Sequence, residues 1–202
     1  MLPADVALTP VIESDFQELR RLADRIWRQH YTGMISTAQI DHMLGSRFSD
    51  DALRTYLQTA TSWLELLRVA GSAVGYCGCA VVAEEPQSLK LGQLYLLDSH
   101  RGTGLGRFML SHIERRAENL GVHTIFLQVN KRNEAALAFY KAAGFTIRHA
   151  AIFEIGGGFV MDDYVMERQR SPQNAGKMRK TGGQRGLRRD PNDWEIYSDS
   201  PD

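Results

Sequence analysis

The chain has 202 residues, 43% of them hydrophobic and 24% charged, which is enough apolar side chain for one folded domain with its own core. Lys plus Arg and Asp plus Glu both number 24, so the formal charge is zero; that balance speaks against nucleic acid as the main partner. No apolar run reaches the roughly 18 residues that span a bilayer, and the start, MLPADVALTP, lacks the basic-then-apolar pattern of a secretory signal, so a cytoplasmic protein with no membrane partner is expected.

In chain order, residues 1–12 read as a short strand with Val6, Leu8, Val11 and Ile12 apolar. Ser14-x-x-Gln17 reads as a capping box. Behind it Phe16, Leu19, Leu22, Ala23, Ile26 and Trp27 recur at helical spacing, predicting a helix over about 15–30. A second box, Ser36-x-x-Gln39, opens a shorter helix carrying Ile40, Met43 and Leu44. A third helix starts at Ser49, with Asp50 and Asp51 complementing the dipole of its first turn.

The period then changes to that of a sheet. Trp63 to Val69 is extended, Ala70-Gly71-Ser72 makes a hairpin turn, and Ala73 to Ala83 and Lys90 to Leu97 are strands. A helix follows over 104–120, with Gly121 at its C-terminal cap. His123 to Val129 is a strand. Asn133 caps a helix over 134–143 that Gly144 ends. Phe145 to Phe153 and Phe159 to Glu167 are the last strands. This order predicts an α/β fold with a mixed sheet and one crossover helix after the fourth strand. From residue 170 onward Lys, Arg, Gly, Gln and Ser dominate before a final acidic stretch. The domain is therefore expected over 1–169, with 170–202 a polar, disordered tail.

Cys77 and Cys79 stand two residues apart. On a strand both face the same way, and they read as small buried hydrophobes. No second pair completes a zinc site, so no metal is expected, and a reducing compartment fits.

The segment with chemical content runs from Gln93 to Phe108, QLYLLDSHRGTGLGRF. An apolar strand enters a glycine-rich turn and then a helix. The first N–H groups of a helix have no partner within it and, with the dipole, attract an anion. Gly102-x-Gly104-x-Gly106 is not the dinucleotide fingerprint G-x-G-x-x-G, and no Gly-Lys-Ser/Thr follows to make a P-loop.

Arg101-x-x-Gly104-x-Gly106 resembles the Arg/Gln-x-x-Gly-x-Gly/Ala signature of the GNAT acetyltransferase superfamily. Downstream, Asn130 to Phe145 (NKRNEAALAFYKAAGF) is similar to that family's second pattern, an Asn, a helix, then Phe-Tyr and Gly-Phe. The resemblance covers roughly residues 5–168. Trp27 to Tyr31, Ile40 to Leu44 and Gly157 to Met166 are further similar to the PaiA-like branch, which is associated with spermidine and spermine N-acetylation.

The resemblance implies a GNAT fold, a mostly antiparallel sheet of about seven strands flanked by helices. It implies acetyl-CoA as cosubstrate, a small-molecule amine as acceptor and direct transfer in a ternary complex. The pyrophosphate would lie on Arg101, Gly102, Thr103, Gly104, Leu105, Gly106 and Arg107. Backbone N–H groups near Leu96 and Leu97 would face the thioester, and Asn133 would both cap its helix and touch the cofactor. Tyr140 would protonate the leaving thiolate; beside Phe139 it also suits a core aromatic. The general base is less defined. Glu84 and Glu85 after the third strand are candidates, with His30, His42 and a water wire as alternatives. The acceptor pocket is expected between the N-terminal helices and the last two strands, with Asp41, Glu84, Glu85, Asp162 and Asp163 as carboxylates for a polyamine. Asp162 and Asp163 point to opposite faces of a strand, so at most one reaches it. A protein N-terminus, a lysine or an antibiotic amine as acceptor, and a non-catalytic acetyl-CoA-binding module, are the rival readings. Dimers are common in the superfamily, which leaves a homodimer open.

Overall fold

The computed structural model describes Pro3 and residues 5–169. The tail expected over 170–202 lies outside the described residues. The elements are β1 (Val6–Pro10), α1 (Phe16–Tyr31), α2 (Thr37–Arg47), α3 (Asp50–Leu57), β2 (Ser62–Val69), β3 (Ser72–Val81), β4 (Ser88–Leu96), α4 (Leu105–Asn119), β5 (Thr124–Asn130), α5 (Glu134–Ala142), β6 (Thr146–Glu154) and β7 (Val160–Gln169). The strands form one seven-stranded sheet in the order β1-β2-β3-β4-β5-β7-β6. Only β4 and β5 run parallel, joined by the crossover helix α4; every other neighbouring pair is antiparallel.

The local signals in the sequence account for most of the element ends. Ser36 Oγ accepts from Gln39 N–H at 3.1 Å and Ser49 Oγ from Ala52 N–H at 3.2 Å, so each caps its helix. Asn133 Oδ1 accepts from Ala136 N–H at 3.1 Å and does the same for α5. The β2–β3 hairpin closes on Ala70 and Gly71, both at positive φ, as a two-residue turn between right-twisted strands requires. The start of α1 differs from expectation. Ser14 makes no cap; Asp15 Oδ2 instead accepts from Ile12 N–H at 3.0 Å, across a 3-10 turn over Glu13–Asp15. The first residue of α1 is Phe16.

Helices cover both faces of the sheet. Leu66 pairs with Tyr76 and Glu65 with Cys77 across β2 and β3, and successive strand residues face opposite sides. On the Tyr76 side lies α1, whose Trp27 Nε1 donates to Tyr76 Oη at 2.7 Å. On the Glu65 side lies α4, whose His112 and Arg116 reach the buried Glu65 carboxylate at 3.0 and 3.1 Å. The core is continuous from Leu19, Ile26 and Trp27 through Leu66, Leu67 and Tyr76 to Leu105, Met109 and Ile113, all of them buried.

Candidate active site

Strand β4 makes the site. It pairs with β5 only over Ser88–Lys90 against Thr124–Phe126. Beyond that both strands continue without each other, β4 to Leu96 and β5 to Asn130, and a wedge opens between them. One residue extra sits on β4: Leu91 pairs with Cys79 and Gln93 with Gly78, leaving Gly92 unopposed. A glycine at a bulge allows the kink, and the bulge turns Gln93 toward the side of the sheet covered by α1.

At the end of β4 the glycine-rich turn places Gly102 at φ 75° and Gly104 at φ 87°, with Gly104 as the N-cap of α4. Both conformations disfavour a side chain. Leu105 is buried and anchors the first turn of α4, and Gly106 packs against the Phe139 ring and Leu96. The first amides of α4 therefore project into the turn, as an anion requires. Thr103 Oγ1 donates to His100 C=O at 2.7 Å and braces the turn. Arg101 pairs with Asp98 at 3.0 Å, and its Nη2 also lies 3.0 Å from His30 Nδ1. Arg107 is exposed and reaches no closer than 3.5 Å to the Ala142 carbonyl.

Leu97 differs from expectation. Its N–H donates to Val74 C=O at 2.9 Å and its C=O accepts from His100 N–H at 2.9 Å. Neither backbone group is left for a thioester. Alternation along the strand turns the Leu96 N–H the other way, toward the wedge.

Asn133 holds two partners at once. Beyond its cap, its Nδ2 lies 2.7 Å from His30 Nε2. Burial, and then the Arg101 charge, lower the His30 pKa below its usual value. Tyr140 on α5 is buried, edge-on to Phe139 and Phe145 with ring centroids 5.2 and 5.5 Å away. Burial raises its phenol well above the usual range, and the nearby Tyr95 and Cys79 add to the rise. Cys77 and Cys79 are buried thiols whose pKa values burial also raises, so neither is a nucleophile in waiting.

Beside the wedge a cavity of about 390 Å³ opens between the N-terminal helices and the last two strands. Tyr31 of α1, Arg47 of α2, Gln93 and Tyr95 of β4, Asn130 of β5 and Asp163 of β7 all line it. The Tyr31 and Tyr95 hydroxyls are 3.0 Å apart. Asp163 is 6% exposed, and Asn130 Nδ2 donates to its Oδ1 at 3.4 Å. Gln93 is 4% exposed; its Nε2 donates to Tyr56 Oη at 3.4 Å, while its Oε1 has no partner.

Four sequence candidates lie elsewhere. Glu84 and Glu85 sit in the exposed loop between β3 and β4, at the end of the sheet opposite the glycine-rich turn, and do not line the cavity. The strand register sends them there: Val81 pairs with Leu89, at the start of β4. Asp41 is exposed and paired with Arg28 at 2.6 Å. His42 Nε2 lies 2.7 Å from Ile155 C=O and its ring stacks near Phe159, pinning the β6–β7 turn. Of the two adjacent aspartates, Asp162 turns outward to Lys131 and Asp163 inward. Sequence reasoning missed Gln93, Tyr31 and Arg47; the glycine inside β4 was the readable sign that the strand kinks beside Gln93.

Comparison with known proteins agrees with this geometry. The model of the Acetyltransferase (GNAT) family matches residues 17–145. An uncharacterized N-acetyltransferase of Mycobacterium tuberculosis is 26% identical over 156 residues, covering 77% of this chain and 98% of that one. The spermidine N(1)-acetyltransferase of Thermoplasma acidophilum is 22% identical over 152 residues, 73% of this chain and 90% of that one. The crystal structure of the PaiA N-acetyltransferase of Thermoplasma acidophilum in complex with coenzyme A superposes with a TM-score of 0.70 at 19% identity, covering 82% of this chain and 99% of that one. The chain belongs to the GNAT acetyltransferase family and is an acetyl-CoA-dependent N-acetyltransferase.

Proposed function

We propose that the enzyme acetylates a primary amine of a small, polyamine-like molecule seated in the cavity beside β4, by direct attack in a ternary complex. The observation that carries this reading is the position of the cavity: it opens onto the stretch of β4 that has no β5 partner, one turn before the glycine-rich loop. Acetyl-CoA, when bound, would supply an activated acetyl group as a thioester. The residues present fit it. The α4 amides and Arg101 suit a pyrophosphate, and unpaired backbone along β4 suits an extended amide-bearing arm in the manner of strand addition. The Leu96 N–H polarises the carbonyl oxygen. Tyr140, protonated at neutral pH, gives its proton to the departing thiolate.

Three carboxylates, Asp51, Glu154 and Asp163, line the cavity with two cations, Arg47 and Lys90. That excess of acid, and the likeness to a spermidine acetyltransferase, support a cationic acceptor. The test follows thiol release from acetyl-CoA with spermidine, spermine, diamines, amino acids, an aminoglycoside and a lysine peptide. Turnover is expected with the polyamines, and Tyr140→Phe should slow it by about 100-fold. Release with the peptide or the antibiotic instead would discard the polyamine; silence with every amine would sink the catalytic reading.

A further inference from the structure

We propose that Asp163 is the general base of the reaction, and that Gln93 Oε1 holds the acceptor ammonium against it. This rests on the amine-acetylation reading above and assigns the proton step that reading leaves open.

Two independent observations meet in one place. Asp163 is a carboxylate buried near the start of β7, beside Asn130 at the open end of β5. Gln93 stands at the bulge of β4, on the other side of the cavity floor. Its Oε1 is buried and has no hydrogen-bond partner, and an orphaned buried acceptor is unfavourable by itself. With Nε2 directed to Tyr56, Oε1 calls for a donor. A primary ammonium has three N–H groups. One satisfies Gln93, and a second meets Asp163.

Asp163 Oδ1 accepts from the neutral Asn130 amide. Lys131 is taken up by Asp162, on the outer face of β7. The Arg47 charge on α2 draws the Asp163 pKa down, and Tyr31 on α1 and Tyr95 on β4 also act on it electrostatically; from β6 its register partner is Ala151, which carries no charge. Burial is the largest influence and pushes the Asp163 carboxyl up to about 6. A carboxyl near that value is ionised at neutral pH yet accepts a proton more readily than an exposed aspartate.

The step balances as follows. An N–H bond of the ammonium breaks and an O–H bond forms on Asp163. The freed lone pair attacks the thioester carbon, so C–N forms and C–S breaks. The thiolate takes the Tyr140 proton, and the remaining excess proton on nitrogen returns to the tyrosinate. Asp163 later sheds its proton to water through the cavity mouth. No further reactant is needed.

The test is the pH profile of thiol release for wild type and Asp163→Asn with two acceptors, spermidine and hydroxylamine. Hydroxylamine is a far weaker base than an alkylamine and is mostly unprotonated at neutral pH, where the two acceptors are compared after its uncatalysed thiol release is subtracted. Wild type with spermidine should lose kcat/KM below about pH 6. Asp163→Asn should lose about 100-fold with spermidine, lack that acidic limb, and keep most of its rate with hydroxylamine, which also shows that the variant folds. Gln93→Leu should raise KM for spermidine more than it lowers kcat. An acidic limb unchanged in Asp163→Asn, or an equal loss with both acceptors, would overturn the assignment while leaving acetyl transfer intact. A second measurement separates the two readings: carbon-detected titration of Asp163 with and without spermidine. A downward move of its midpoint without any turnover would support the ammonium site and sink the acetylation reading; a midpoint that spermidine leaves unmoved would overturn the site.

Discussion

Arg101 extends from the glycine-rich turn to within 3.0 Å of His30 Nδ1 on α1. The other ring nitrogen of His30 faces a second donor, Asn133 Nδ2, at 2.7 Å. A neutral imidazole has one lone pair for hydrogen bonding, and Asn133 is held in place by its cap on α5. Arg101 has Asp98 as an alternative partner, so it is the donor more easily given up to an incoming phosphate. One histidine thus ties α1 both to the glycine-rich turn and to the start of α5.

That arrangement sets a pH dependence. Burial and Arg101 lower the His30 pKa, so the folded chain binds this proton less readily than the unfolded chain does. Stability contributed by His30 is complete above about pH 6.5 and is lost as the pH falls below it. Urea midpoints should drop between pH 7 and pH 5, and His30→Gln should flatten that drop. An unaltered slope in the variant would assign the acid sensitivity to another group.

Asp163 acts in the opposite sense. Its pKa is raised from the ordinary aspartate range to about 6, so between about pH 4 and 6 the folded state holds a proton that the unfolded state has released. Stability from this group falls as the pH rises through that window. Asp163→Asn should therefore stabilise the fold by about 1–3 kcal/mol at pH 8 and by much less at pH 4. Thermal melts at the two values measure it, and equal shifts would show that the carboxylate is not held in a desolvated place.

Gly104 caps α4 at φ 87°. Alanine there is strained by about 1–2 kcal/mol, and the strain falls on the turn proposed above to hold the pyrophosphate. Gly104→Ala should lower Tm and raise KM for acetyl-CoA, with kcat changed less. A variant with a normal KM would separate the turn from cofactor binding.

Glu65 lies buried between β2 and α4 and accepts from both His112 and Arg116. Glu65→Ala leaves the Arg116 guanidinium and the His112 ring without their acceptor. Because those partners are partly exposed, a loss of about 2–3 kcal/mol is expected, below the range for a fully buried pair. Denaturant titration checks it.

The exposed Glu84 and Glu85 supply a control. The double change to glutamine should keep kcat/KM within about twofold, as surface substitutions usually do. A large loss would return the base to the β3–β4 loop.

The order of elements was legible because its signals are local. Ser36, Ser49 and Asn133 announce helix starts, Gly121 and Gly144 their ends, and Ala70-Gly71 the hairpin. The glycine-rich turn was legible for the same reason, since its chemistry belongs to consecutive backbone amides. What escaped depends on partners distant in sequence. The Leu97 amide looked available until Val74 was seen to take it. Glu84 and Glu85 looked close to the chemistry because they follow a strand, but the antiparallel register of β3 and β4 sends them to the far end. Gln93 owes its orphaned oxygen to a bulge one residue long, and no periodicity in the sequence declares which way such a kink turns a side chain.

The two cysteines have a practical consequence for every assay proposed above. Cys77 and Cys79 are the chain's only thiols, and both are enclosed in the core with 0% and 1% of their surface exposed. A colorimetric disulfide reagent added to the native enzyme meets no reactive sulfur of its own making. The signal during turnover therefore belongs to released coenzyme, and a slow rise without acceptor, tending to two equivalents per chain, would serve as a clock for spontaneous opening of the fold.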